Sequence, residues 1–168
     1  DMALYTGTIT GSSLVEHFNQ TADWDTPNVG SFNSSADYVY LVGMNFTQVA
    51  SFAGFINTID LSTIPWEVSS NISSSLTGYT GNSTTFNPLI SEVSALIATE
   101  TYTPASLTGD MTGVGILGVA DAIDIPAGNE SAYIFRTAST NLVPEPSTTL
   151  LGFGAAALTL FRRRRAKA

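Results

Sequence analysis

One histidine is present, His17 in "SSLVEHFNQT", so any Ser-His-Asp hydrolysis would have to pass through that single imidazole. Serines are plentiful as nucleophiles, yet none lies in a G-x-S-x-G elbow. The nearest stretch, "GSS" at residues 11–13, lacks the second glycine. His17 therefore reads as a polar position on a short helix or strand. Glycoside hydrolysis needs two carboxylates about 5–10 Å apart. Thirteen acids lie between Asp1 and Glu130, none of them in a recognisable catalytic frame. Cysteine is absent, which removes disulfides, thiolate zinc sites and thiol catalysis together. The expectation is a protein that is not an enzyme.

Binding chemistry has more to work with. "DWDTPN" offers Asp23, Asp25 and Asn28 in a loop, and "DAIDIPAGNE" offers Asp121, Asp124, Asn129 and Glu130 around a turn. Hard oxygen ligands on loops are what Ca²⁺ takes, although neither stretch has the spacing of an EF-hand. No cofactor is expected, with calcium at Asp23, Asp25, Asp121 and Asp124 as the one candidate exception. Trp24, Trp66, Tyr79 and Tyr102 fall in or near loop segments. Aromatic faces there could stack on sugars, but the same residues more often close the edge of a small core. Asn-x-Ser/Thr triplets start at Asn19, Asn33, Asn45, Asn71, Asn82 and Asn129. In a chain this rich in Ser and Thr they are expected by chance.

Charge is distributed unevenly. Of six Lys and Arg residues, five sit in the last seven positions, and the body before Pro144 keeps only Arg136 against thirteen acids, a formal −12. Such a surface repels phosphate backbones, which excludes nucleic acid as a partner of the body. It suits solubility outside a cell and the binding of divalent cations. With 43% hydrophobic and only 12% charged residues, the chain has enough apolar material for a core and is unlike a disordered one.

The elements that would carry these residues are mainly β. "DMALYTGTITG" reads as a strand, with no leader-like stretch before it, so an exported form is expected to have lost its signal peptide or to be represented by a fragment. "DYVYLVGMNFTQV" reads as a buried strand, and "TADWDTPNVGSFNSS" as a turn-rich loop. In "FTQVASFAGFIN", Phe46, Val49, Ala50, Ala53 and Ile56 fall on one helical face, and a short helix is expected there. "STIPWEVSS" starts strand-like and runs into a long polar connection. "NPLISEVSALIATE" is the clearest helix: Asn87 as N-cap, Pro88 at the first helical position, and an apolar stripe of Leu89, Ile90, Val93, Leu96 and Ile97. "MTGVGILGVADAIDI", the turn "PAGNES" and "AYIFRTAST" read as a hairpin. The sum is a mainly-β, antiparallel, sandwich-like domain over residues 1–142 with one or two short helices, followed by a distinct segment, 143–168.

That segment is "VPEPSTTLLGFGAAALTLFRRRRAKA". Pro144 and Pro146 flank Glu145 and hold the backbone extended. Fifteen uncharged residues from Ser147 to Phe161 follow, carrying Leu150, Leu151, Phe153, Ala156, Leu158, Leu160 and Phe161. A comfortable span needs about 20 residues, with a lower limit of about 17, and snorkelling arginines together with a thinned bilayer close that gap. A single transmembrane helix is expected, with Arg162, Arg163, Arg164 and Arg165 as the stop-transfer cluster on the cytoplasmic side and the body outside.

Motif, apolar span and Arg cluster, in that order, resemble the PEP-CTERM sorting signal over about 26 residues. The resemblance implies recognition by an exosortase, a polytopic membrane protease-transpeptidase of Gram-negative bacteria. It implies export by the general secretory route, an inner-membrane intermediate, processing near Pro144–Pro146, and delivery to the cell surface or extracellular matrix. The family is associated with exopolysaccharide production and biofilm or floc formation. On that basis the expected role is a structural or adhesive matrix component with exopolysaccharide as a partner. A carbohydrate-binding module, calcium-dependent in one form, is the alternative, and a small hydrolase is the third reading.

Overall fold

A computed structural model describes residues 2–20, 35–45, 50–76, 89–109, 121–125 and 131–143. Its centre is a six-stranded antiparallel sheet built from β1 (Met2–Gly7), β2 (Val15–Gln20), β3 (Tyr38–Asn45), β7 (Glu67–Ser69), β8 (Tyr102–Pro104) and β11 (Ser131–Ala138). The spatial order is β2-β1-β3-β11-β7-β8. β4 (Ala50–Phe52), β9 (Leu107–Gly109) and β10 (Asp121–Ile125) form a second sheet in the order β4-β10-β9. β5 (Phe55–Ile56) and β6 (Ile59–Asp60) make a two-stranded hairpin. Helix α1 (Ile90–Thr99) is the one α-helix among the described residues.

The near-continuous apolar runs of β3 and β11 follow from burial on both faces of the central sheet, which leaves little room for an in-out polar alternation. Successive side chains point to opposite faces, and the two faces have different covers. Ala3, Tyr5, Tyr40, Val42, Ala132 and Ile134 join Ile72, Leu76, and Val93 and Ile97 of α1 in one core cluster. Leu4, Val39, Leu41, Val68, Tyr133 and Phe135 meet Phe52, Leu61, Trp66 and Leu142 in the other. Phe52 packs edge-on against both Trp66, at 5.5 Å between ring centroids, and Phe135, at 5.0 Å. Burying each such ring contributes about 1.5–3 kcal/mol, so the aromatic trio holds the second layer onto the sheet.

α1 is fixed to the sheet through the β1–β2 turn. Gly11 adopts φ +72, and a Cβ there would lie 2.9 Å from both Ile97 Cβ and Ser94 O. Ser94 Oγ donates to Gly11 O at 2.8 Å, which uses the close approach that only glycine allows. β7 has only three residues, and side chains extend its ladder. Ser69 Oγ accepts from Ile134 N at 2.9 Å, and Asn71 Oδ1 accepts from Ala132 N at 3.3 Å. That engagement gives Asn71 a structural task within one of the six Asn-x-Ser/Thr triplets.

The mainly-β antiparallel expectation holds, and four local expectations are corrected. Residues 50–52 and 55–56 are strand, where a helix was expected, because Ala50 and Phe52 pair with β10 and Phe55 with β6. α1 starts at Ile90 with Leu89 as its N-cap; Asn87 and Pro88 lie outside the described residues. Leu89 and Ile90, counted in the apolar stripe, are exposed, while Val93 and Ile97 carry the packing. β10 and β11 do not form a hairpin, since β10 pairs with β4 and β9 and β11 pairs with β3 and β7. The expected membrane helix, Leu150 to Phe161, lies outside the described residues, and among those described no helix is long and apolar enough to cross a membrane.

Candidate functional site

His17 occupies an irregularity in the sheet. Leu4 faces Phe18 while Tyr5 faces Glu16, so His17 is the extra residue of a β-bulge in β2. The bulge brings its Nε2 to 2.7 Å from Thr6 Oγ1 on β1. Desolvation lowers the imidazole pKa below 6.5, which favours the neutral ring at pH 7. A neutral imidazole on a hydroxyl is how a nucleophile is activated. Thr6, however, is only 2% exposed within β1. This pair ties two strands together.

A second constellation surrounds the body's only strong base. Arg136 on β11 sits opposite Glu67 on β7 and Tyr40 on β3. Its Nε donates to Glu67 Oε2 at 2.6 Å, and its guanidinium lies 3.7 Å from the ring centroid of Tyr102 and 5.7 Å from that of Tyr38. Tyr38 stacks on Tyr40 at 6.1 Å, and Tyr40 Oη donates to Thr8 O at 2.5 Å. Burial, opposed by the nearby Arg136 charge, pushes the Tyr102 phenol up to about 12. Burial also raises Tyr40 and Tyr5 far above the ordinary phenol range. Tyr102 Oη has no hydrogen-bond partner among the described residues.

These placements revise the aromatic platform. Trp66 is 4% exposed, with its indole N–H donating to Leu61 O at 2.9 Å, so it is a core residue. Tyr102 presents a ring face to Arg136 that is thereby unavailable to a sugar. Trp24 and Tyr79 lie outside the described residues. Of the calcium candidates, Asp23 and Asp25 lie outside as well, as do Asn129 and Glu130, while Asp121 and Asp124 fall in strand β10. Asp121 pairs with Gly109 and Asp124 with Ser51. Among the described residues no group of three or more His, Asp or Glu side chains is assembled as for a metal.

The remaining site is the last described stretch before the expected sorting segment. After β11 the chain forms a short 3-10 turn, Ser139–Leu142. Ser139 N donates to Asp37 O at 2.8 Å, and Asn141 Nδ2 donates to Thr137 Oγ1 at 3.0 Å. Thr137 Oγ1 in turn donates to Pro65 O at 2.8 Å. Leu142 is 4% exposed and belongs to the same core cluster as Trp66 and Phe52. Its carbonyl accepts a hydrogen bond from Asn57 Nδ2 at 3.2 Å, and Asn57 sits at the tip of the β5–β6 hairpin. Val143, the next residue, is 62% exposed. Nothing in the sequence near Asn57 signals this tie, which joins positions 85 residues apart. Pro144, Glu145 and Pro146, the apolar span and Arg162 to Arg165 all lie outside the described residues.

A family model described as the PEP-CTERM protein-sorting motif matches residues 142–165. No curated protein and no solved structure matches the chain.

Proposed function

We propose that this chain, which carries a PEP-CTERM sorting motif at residues 142–165, is exported through a membrane-anchored intermediate and sorted by an exosortase, and that its body serves the extracellular matrix as a non-catalytic structural or adhesive component. The tail holds the precursor in the inner membrane, the exosortase cuts near the Pro-Glu-Pro, and the body passes to the cell surface or the exopolysaccharide around it. One observation carries the reading: the sorting-motif model matches residues 142–165, starting at Leu142, which is packed in the core of the described residues. The body's composition supports a passive role, since its only histidine is tied to Thr6 and its only strong base to Glu67 and Tyr102.

Deletion of Pro144–Pro146 in a host that carries an exosortase tests the sorting step. The expected result is a full-length precursor retained in the membrane fraction. Unchanged mass and unchanged surface delivery would remove the basis of the proposal. The matrix role is tested separately by comparing floc or biofilm mass with and without the gene, where equal mass counts against it.

A further inference from the structure

We propose, resting on the reading that the chain is an exosortase substrate, that the β5–β6 hairpin is a positioning clamp for the sorting segment. It pins the chain at Leu142, so the bond broken in processing lies C-terminal to Val143 and the shortened body keeps Leu142 as its closing plug. The clamp has three parts. Leu142 fills a place in the core beneath the hairpin, and its carbonyl is held by Asn57 Nδ2 at 3.2 Å. The residues before it are wound into the 3-10 turn and tied back to Asp37 and Thr137. The hairpin itself is strained to present the amide: Asn57 and Thr58 have φ of 51 and 70.

A two-residue turn of this kind asks for positive φ at both central positions and is usually Asn-Gly. Asn tolerates the left-handed region, whereas a β-branched Thr does not adopt it readily. Strain of that sort persists where the surroundings require the conformation. Here the conformation aims Asn57 at the Leu142 carbonyl.

Proteases bind an extended stretch on both sides of the bond they break. Ser139–Leu142 would have to unwind and pull Leu142 from the core to enter such a cleft. Val143 is already exposed, and Pro144 after it favours an extended backbone at Val143. The first stretch a protease can take therefore starts at Val143. In the cleavage an amide C–N bond breaks. The carbonyl carbon gains the oxygen of water, or the nitrogen of an amine acceptor. The proton given up by that water or amine goes to the nitrogen that departs with the tail.

The composition supplies a clean readout. Arg136 is the last tryptic site before Arg162, so the C-terminal peptide of a processed body begins at Thr137. The full chain is expressed in a bacterium with an exosortase, the shortened body is isolated, and the mass of that peptide is read. The expected peptide contains Leu142 and ends at Val143 or beyond. A body ending at or before Leu142 overturns the inference while leaving the sorting reading intact. Absence of any shortening overturns the sorting reading itself.

The clamp is tested by limited proteolysis of the purified full chain with a non-specific protease. Asn57→Asp keeps a residue that accepts positive φ but loses the donor. Loss of one ordinary hydrogen bond raises the open population about fivefold. Cleavage within Ser139–Leu142 should therefore rise about fivefold, with cleavage in the β1–β2 turn unchanged. Thr58→Gly relaxes the turn and keeps the amide, so Ser139–Leu142 should be cut no faster than in the unmodified chain. Unchanged cleavage within Ser139–Leu142 in Asn57→Asp, or faster cleavage there in Thr58→Gly, sinks the clamp.

Discussion

Replacing Arg136 isolates what a single cation contributes inside a β-sheet body that carries no other lysine or arginine. Its side chain is 17% exposed, whereas that of its partner Glu67 is 47% exposed. The ion pair is thus half in water and contributes about 0.5–1 kcal/mol after screening. The guanidinium over Tyr102, at 3.7 Å, is largely desolvated and contributes about 1–2 kcal/mol. The aliphatic stem covering the sheet adds about 1 kcal/mol. Arg136→Ala should accordingly destabilise the body by about 2.5–4 kcal/mol. Arg136→Lys keeps the charge and much of the stem but loses the flat stacking group, and should cost about 1–2 kcal/mol. Glu67→Gln should cost only about 0.5 kcal/mol, and that part should vanish near 1 M salt, where the screening length is about 3 Å. Urea unfolding of the full chain in detergent, followed by tryptophan fluorescence, measures all three variants. A lysine variant as stable as the parent, or an alanine variant no worse than Glu67→Gln, would refute the claim that the ring face dominates.

Further outcomes follow from single positions. Gly11→Ala should cost about 2–3 kcal/mol by the same assay, since its Cβ would meet Ile97 and Ser94 at 2.9 Å on a φ of +72. A loss under about 0.5 kcal/mol would mean the turn and helix can part freely. Tyr102→Phe should be neutral or stabilise by up to about 1 kcal/mol, because the phenol oxygen it removes is buried without a partner among the described residues. A clear destabilisation would show that the hydroxyl is satisfied after all. At alkaline pH the body should lose stability: Tyr102 is raised from 10.0 to about 12, with burial the leading cause, and Tyr5 and Tyr40 are raised further. The folded state then keeps protons that the unfolded chain releases above its ordinary pKa. Stability is full below about pH 10 and falls as pH rises through the folded values. Urea midpoints that stay level from about pH 9 to about pH 11 would contradict this.

Strand-forming stretches were readable where side-chain chemistry decides locally. "ALYTG", "YVYLVG" and "AYIFRT" are dense in β-branched and aromatic residues, and they became β1, β3 and β11. Partner choice was not readable in that way. The helical spacing of Ala50, Ala53 and Ile56 is real, but hydrogen bonding of residues 50–52 to β10 overrides it. β10 and β11 are adjacent in sequence, and only the tertiary arrangement sends them to different sheets. The sorting motif was fully legible because its parts lie in order along the chain and act by composition. For Trp66 and Tyr102 the choice between a sugar platform and a core edge was not readable, because closeness to a loop does not say whether a ring turns inward. The Asn57–Leu142 tie was invisible for a related reason: a long-range hydrogen bond leaves no periodicity behind.

The inward turn of Arg136 has a consequence for many copies together. With that guanidinium committed to Glu67 and Tyr102, the body offers neighbouring molecules an acidic exterior with no free arginine or lysine. Two such bodies cannot neutralise each other, so small mobile cations must do it. A dense layer of them is a fixed-charge gel: counterions held inside draw in water by osmosis, and the layer swells in dilute medium and contracts as salt is added. In a surface layer of the kind proposed above, hydration would thus be set by the ionic strength of the surrounding medium.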